Sequence, residues 1–152
     1  MKPTETVSQL LANIENSEFK KVNELLTEDF SFKGPTPEAL DKDEFIKMHK
    51  SILKGIPNFN YNVTNLKEEN GKVKGTVQIT GKHTGTLDLD MINLPAVKAT
   101  NKDISLPSEN FEIVLTGGKI KSLVSKTPEN GGVTGLLKQI GVKAPQEVTA
   151  KN

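Results

Sequence analysis

The feature that most constrains this chain is a change of hydrophobic period at Pro57. Before it, apolar residues recur every three to four positions: Val7, Leu10, Leu11 and Ile14, then Phe19, Val22, Leu25 and Leu26, then Phe45, Ile46, Met48, His49, Ile52 and Leu53. That spacing lays one apolar stripe along each of three helices. After Pro57 the period falls to two, with Phe59, Tyr61 and Val63 alternating with polar residues, then Val73, Val77 and Ile79, then Phe111, Ile113 and Leu115. Alternation of this kind predicts half-buried strands. Helices first and strands afterwards describe an α+β domain, because parallel βαβ units would need helices between the strands.

Local signals set the boundaries. Thr4 and Ser17 are expected N-caps of the first two helices, and Asp41 with Glu44 has the form of a capping box opening the third, which Gly55 ends. Phe30 and Phe32 form a short extended piece before the breaker Gly34-Pro35-Thr36-Pro37. Asn70-Gly71 and Gly117-Gly118 predict two tight hairpins, since both central positions of a type I′ turn need positive φ. Asn101 suits another left-handed turn. If the alternation runs on from Val73 without a bulge, His83, Leu87 and Leu89 share the inward face. Val133, Leu136, Leu137 and Ile140 predict a short last helix closed by Gly141, and residues 144–152 read as a flexible tail.

Composition excludes several classes. The 152 residues suit one domain, and cysteine is absent, which removes disulfides, thiolate nucleophiles and zinc-thiolate sites. All twenty basic residues are lysine and the net charge is +1, so arginine-based base or phosphate recognition and a nucleic-acid footprint are both missing. No apolar run reaches the roughly 18 residues of a membrane span, and the first residues lack a signal-peptide core, giving an expectation of a cytoplasmic protein without membrane contact. No cofactor fingerprint is present, and two histidines with the strand pair Asp88 and Asp90 make no convincing metal site.

Several motifs in order resemble the nuclear transport factor two-like superfamily, and within it the SnoaL-like polyketide cyclases. Leu26-Thr27-Glu28-Asp29-Phe30-Ser31-Phe32-Lys33-Gly34-Pro35 is similar to the superfamily's stretch after the second helix. Gly81-Lys82-His83-Thr84-Gly85 resembles the cyclases' Gly-x-His-x-Gly strand, Ala99-Thr100-Asn101-Lys102 their Pro-Thr-Gly-Lys turn, and Gly117-Gly118-Lys119-Ile120 their Asp-Gly-Lys-Ile hairpin. The resemblance covers residues 5 to 127. It implies a strongly curved antiparallel sheet around three N-terminal helices, within a domain of residues 1–143 whose segment 128–143 is an atypical extension. It also implies an apolar pocket and a homodimer packed through the outer sheet face.

For function, the resemblance implies an aldol-type ring closure by an aspartate base, with a strand histidine steadying the enolate. His83 matches that histidine, but the aspartate position falls on Phe111, and the base position of the related ketosteroid isomerases falls on Gly34. Glu112, next to Phe111, points to the other face of a regular strand. The expected function is therefore binding of a small, mainly apolar carbonyl or ring-containing molecule without the cyclase chemistry. His83 would be the polar anchor and sole catalytic candidate, with Tyr61, Phe32, Phe45, Met48, His49, Phe111 and Asp29 as further ligand-binding residues and Phe30 and Met91 as lining or core. The alternatives are a lyase or isomerase using His83 in enolate chemistry, and a non-catalytic dimeric assembly module.

Overall fold

A computed structural model describes residues 2–34, 38–90 and 94–142. Met91, part of the Gly-Pro loop and the expected tail at 144–152 lie outside the described residues.

The three N-terminal helices are α1 (Pro3–Glu15), α2 (Phe19–Leu25) and α3 (Lys42–Gly55). Lys2 rather than Thr4 caps α1, because Pro3 occupies the first helical position, where its fixed φ suits a helix and its missing N–H costs nothing. Ser17 does not cap α2; it takes φ 58° and closes α1, its N–H donating to Ile14 and that of Glu18 to Asn13, the double bond of a Schellman end. The α3 capping box is complete: the Glu44 N–H donates to Asp41 Oδ1 at 2.9 Å and the Asp41 N–H to Glu44 Oε1 at 3.0 Å. Asp41→Ala should cost about 1 kcal/mol in urea unfolding. A loss below a few tenths would contradict the role of this cap.

Eight strands follow and interleave with α3: β1 (Leu26–Lys33), β2 (Leu40–Asp41), β3 (Thr64–Glu69), β4 (Lys72–Val77), β5 (Thr80–Lys82), β6 (Asp103–Ser105), β7 (Glu109–Thr116) and β8 (Lys119–Lys126). Six form one sheet in the order β2-β1-β8-β7-β4-β3, and β5 pairs with β6 separately. The pairing of β1 with β8 is parallel, so the sheet is mixed rather than wholly antiparallel. Leu26 belongs to β1, not to α2: it pairs across to Ile120, a long-range partner that outweighs its place in the helical stripe. The Asn70-Gly71 and Gly117-Gly118 hairpins form with positive φ at all four residues.

Register shifts interrupt β1–β8, β3–β4 and β7–β8, and such irregularities bend a sheet. The curved inner face presents Val73 and Val77, then Glu109, Phe111 and Ile113, then Ile120 and Leu123, against the stripes of α1 and α3. The alternation expected past Val77 breaks there: β5 leaves the main sheet for β6, and residues 59–63 are tied in by the Asn60–Thr80 bridge rather than as a strand.

Helix α4 (Gly132–Gln139) packs Val133, Leu136, Leu137 and Ile140 into the same core. Gly141 at φ 85° ends it, the N–H groups of Gly141 and Val142 donating to Lys138 and Leu137. The Gln139 amide grips β6 by both ends, accepting from the Ser105 N–H and donating to the Ser105 carbonyl, each at 2.7 Å. Among the described residues, no helix is long and apolar enough to cross a membrane.

Candidate functional site

Between α3, the inner sheet face and α4 lies a cavity of about 70 Å³. Its walls are mostly apolar: Phe32 from β1, Phe45 and Met48 from α3, Phe111 from β7, and Val133 and Leu136 from α4. Four polar side chains reach it, those of His49, Tyr61, Glu109 and Ser125.

His49 is 1% exposed, on the third turn of α3. Its Nδ1 lies 2.9 Å from the Phe45 carbonyl one turn back; a carbonyl only accepts, so Nδ1 carries the proton. Nε2 is then an acceptor, and the Tyr61 hydroxyl donates to it. Burial holds the imidazole neutral, lowering its pKa from 6.5 to about 4 against the smaller opposing pull of the Phe45 carbonyl. Burial likewise raises the Tyr61 phenol, and the charges of Glu109 and Glu15 add to the effect.

Tyr61 reaches this position because its segment is pinned from both sides. Its N–H donates to Glu15 Oε2 at 2.9 Å, its carbonyl accepts from the Gln78 N–H at 2.8 Å, and Asn62 at φ 46° turns the chain away.

Glu109 is a further candidate residue, one to which the family motifs do not point. It opens β7 two residues before Phe111, so the period of two puts it on the same inward face, opposite Val77. The signal was present in the alternation itself, since an acid heading the row Phe111, Ile113 must share that row's environment. Glu109 is 8% exposed and its Oε2 has no hydrogen-bond partner. Burial raises its pKa above the usual carboxylate range, while the Ser125 and Thr127 hydroxyls beside it pull the other way. Thr127 Oγ1 is buried without completing a hydrogen bond.

The cavity thus gathers Phe32, Phe45, Met48, His49, Tyr61 and Phe111 from the residues singled out in the sequence. It does not gather His83 or Asp29. Asp29 is exposed: Thr27 Oγ1 donates to it at 2.8 Å and Lys121 pairs with it at 3.8 Å, and the Thr27 bond foremost lowers its carboxyl pKa. Phe30 is buried edge-on against Phe45, outside the cavity walls. Asp88 and Asp90 stand exposed, and among the described residues no group of three or more potential metal ligands is placed to hold an ion.

His83, expected to anchor a ligand, lies outside the walls of this cavity, and its Nε2 is buried without a hydrogen-bond partner. It is fully buried, with Nδ1 accepting from the Thr100 N–H at 3.3 Å and meeting the Thr100 hydroxyl at 2.9 Å. Its backbone bonds to Asn101 and Lys102. The Gly-x-His-x-Gly strand and the Ala-Thr-Asn-Lys turn therefore fasten to each other. The glycine of that motif at 85 serves close packing: a Cβ there would lie 2.3 Å from the Lys54 carbonyl oxygen at the end of α3, where the Gly85 N–H donates to Gly55 at 3.0 Å. Gly85→Ala should cost about 1–3 kcal/mol, because neither backbone can yield freely. An unchanged urea midpoint would contradict this reading of the motif.

Polar groups aimed into an apolar hollow inside a helix-filled curved sheet point to a particular family, and the sequence decides it: residues 2–99 match the model of the NTF2-like domain. The chain belongs to the NTF2-like family. No curated protein matches the sequence. Among solved NTF2-like structures, a candidate SnoaL-like polyketide cyclase from Jannaschia sp. CCS1 superposes with a TM-score of 0.71 at 17% identity, covering 95% of this chain and 97% of that one. IdmH, a candidate polyketide cyclase from Streptomyces antibioticus, gives 0.71 at 14% identity over 93% of this chain and 100% of its own. AclR, a candidate hydroxylase from Streptomyces galilaeus, gives 0.70 at 15% identity, with coverages of 90% and 93%. At such identities the likeness concerns the fold, and a shared fold does not fix a shared chemistry.

Proposed function

We propose that this NTF2-like protein binds a small, mainly apolar molecule in the cavity beneath α4, with the ligand's polar atom held at Glu109 and Tyr61. The observation that carries the proposal is the Glu109 Oε2 atom, buried without a partner in a cavity walled mostly by hydrocarbon. Leaving such a group unsatisfied costs about 1–3 kcal/mol, and a bound polar atom removes that cost. The candidate cyclases that share the fold are consistent with a small-molecule pocket. The test is an amide-resolved NMR titration with small fragments. Saturable shifts at Phe32, Tyr61, Glu109 and Leu136 that vanish in a cavity-filling Val133→Trp variant support the proposal. A panel in which no fragment shifts these residues contradicts it.

A second reading, enolate chemistry with Glu109 as general base, has its carboxylate inside the cavity. It has no uncommitted donor for the enolate oxygen: the Tyr61 proton goes to His49, the Ser125 hydroxyl sits beside the Glu109 carboxyl, and His83 lies outside the cavity walls. Binding without such chemistry is therefore preferred. Exchange of acetone α-protons with D2O at the buffer rate is the expected result.

We also propose that residues 1–143 act as one unit that pairs as a homodimer through the outer sheet face, where Val124 stands exposed beside Glu112 and Lys126. Analytical sedimentation should show a dimer that Val124→Lys splits. A monomer at high protein concentration would remove the assembly alternative altogether.

A further inference from the structure

We infer that the ligand class of this cavity is a small alkylammonium ion, because the side chains left free there can accept hydrogen bonds but not donate them. The inference rests on the small-molecule reading above and narrows it.

The polar side chains can be accounted for one by one. His49 spends its Nδ1 proton on the Phe45 carbonyl at 2.9 Å, and its Nε2 takes the Tyr61 proton. What remains at Tyr61 is an oxygen lone pair. Ser125 and Thr127 sit beside the Glu109 carboxyl, the natural destination of their hydroxyl protons, and Thr127 stands behind the cavity walls rather than in them. Glu109 Oε2 remains, buried and unpartnered. With Glu109 ionised, two acceptors are therefore available, and both call for a donor.

Charge and shape point the same way. No lysine lines the cavity and the chain has no arginine, so a carboxylate at Glu109 meets no protein cation there. Phe32, Phe45, Phe59 and Phe111 supply an aromatic wall, and aromatic rings attract alkylammonium groups most strongly where water is excluded. A carbonyl ligand, by contrast, would need a donor inside the cavity, and His83, whose Nδ1 accepts from the Thr100 N–H, lies outside its walls. At about 70 Å³ the space is roughly half that of a cavity known to hold benzene, which fits an ion of about three or four non-hydrogen atoms.

The experiment compares isopropylammonium chloride with acetone, which has the same number of non-hydrogen atoms but only an acceptor, by amide-resolved NMR titration at pH 7. Potassium chloride at matched concentration is the ionic-strength control. The expected result is saturable shifts at Tyr61, Glu109 and Leu136 with isopropylammonium, and binding of acetone at least about tenfold weaker. Glu109→Gln exchanges an acceptor for an amide that can also donate, so it should weaken the ammonium by about tenfold or more while strengthening acetone. Tyr61→Phe should weaken the ammonium several-fold, and retained spectral dispersion verifies that each variant is folded. Acetone binding as tightly as the ammonium in the unaltered protein, with Glu109→Gln leaving both unchanged, overturns the inference but spares the small-molecule reading. Shifts with neither probe overturn both.

Discussion

Ending the chain at Asn130, which removes α4, is expected to lower the unfolding free energy by at least about 2–5 kcal/mol, the cost of a single buried leucine truncation. The expectation follows from what α4 covers. Val133, Leu136, Leu137 and Ile140 are each buried to within a few per cent, and Val133 and Leu136 form one wall of the cavity. Their loss would expose Phe111 and the apolar side of α3 to water and lay Glu109 open to solvent. Two signatures separate this from a general weakening. A dye that fluoresces on apolar surfaces should bind the folded truncated protein, and the Glu109 pKa should return toward that of a solvated carboxyl, since burial is what raises it. Leu137→Ala, which should cost about 2–5 kcal/mol, provides a milder variant if the truncated chain does not fold. Unaltered urea midpoints in both would make α4 an ornament on the domain.

The second large effect concerns His49 and acid. Its folded pKa of about 4 lies below the ordinary 6.5, so between those values the unfolded chain binds a proton that the native protein refuses. Stability contributed by the neutral imidazole is fully present above pH 6.5, declines as pH falls, and stops declining near pH 4. A gap of this size is worth about 3 kcal/mol. Glu109 works in the opposite sense, because its raised pKa favours the native state on acidification, so the wild-type curve alone mixes the two. The difference between wild type and His49→Gln isolates the histidine. That difference in unfolding free energy should move by about 3 kcal/mol in favour of the variant between pH 7.5 and pH 4. Parallel curves would show that His49 is solvated or paired with an acid.

How far the sequence reveals this molecule depends on whether a signal is local. The Asp41 capping box, the two hairpin turns and the Gly141 helix end are written in adjacent residues, and each forms as those residues dictate. The parallel register of β1 against β8 is not local: Leu26 reads as helix until Ile120, far along the chain, pairs with it. The same applies to β5, which leaves the sheet to meet β6.

The cavity shows both cases. His49 and Tyr61 fall on apolar stripes that already point inward, so their meeting follows from helix and strand periods, although Tyr61 arrives on an irregular segment held by Glu15. Glu109 was equally legible from the alternation through Phe111 and Ile113. The family motif points to position 111 alone, whereas the inward face of β7 includes 109 as well. His83 shows the converse. The motif match implies a ligand contact, whereas the structure places His83 outside the cavity walls with its Nδ1 bonded to Thr100 and Gly85 close against α3.

The most direct measurement is a crystal structure at a resolution that shows bound solvent, from protein purified without added ligand, inspected around Glu109. The account predicts an open cavity beneath α4 with density inside it, within hydrogen-bonding distance of Glu109 Oε2 and the Tyr61 hydroxyl. A cavity closed by Phe111 and Leu136, with Glu109 turned out to solvent, would contradict it.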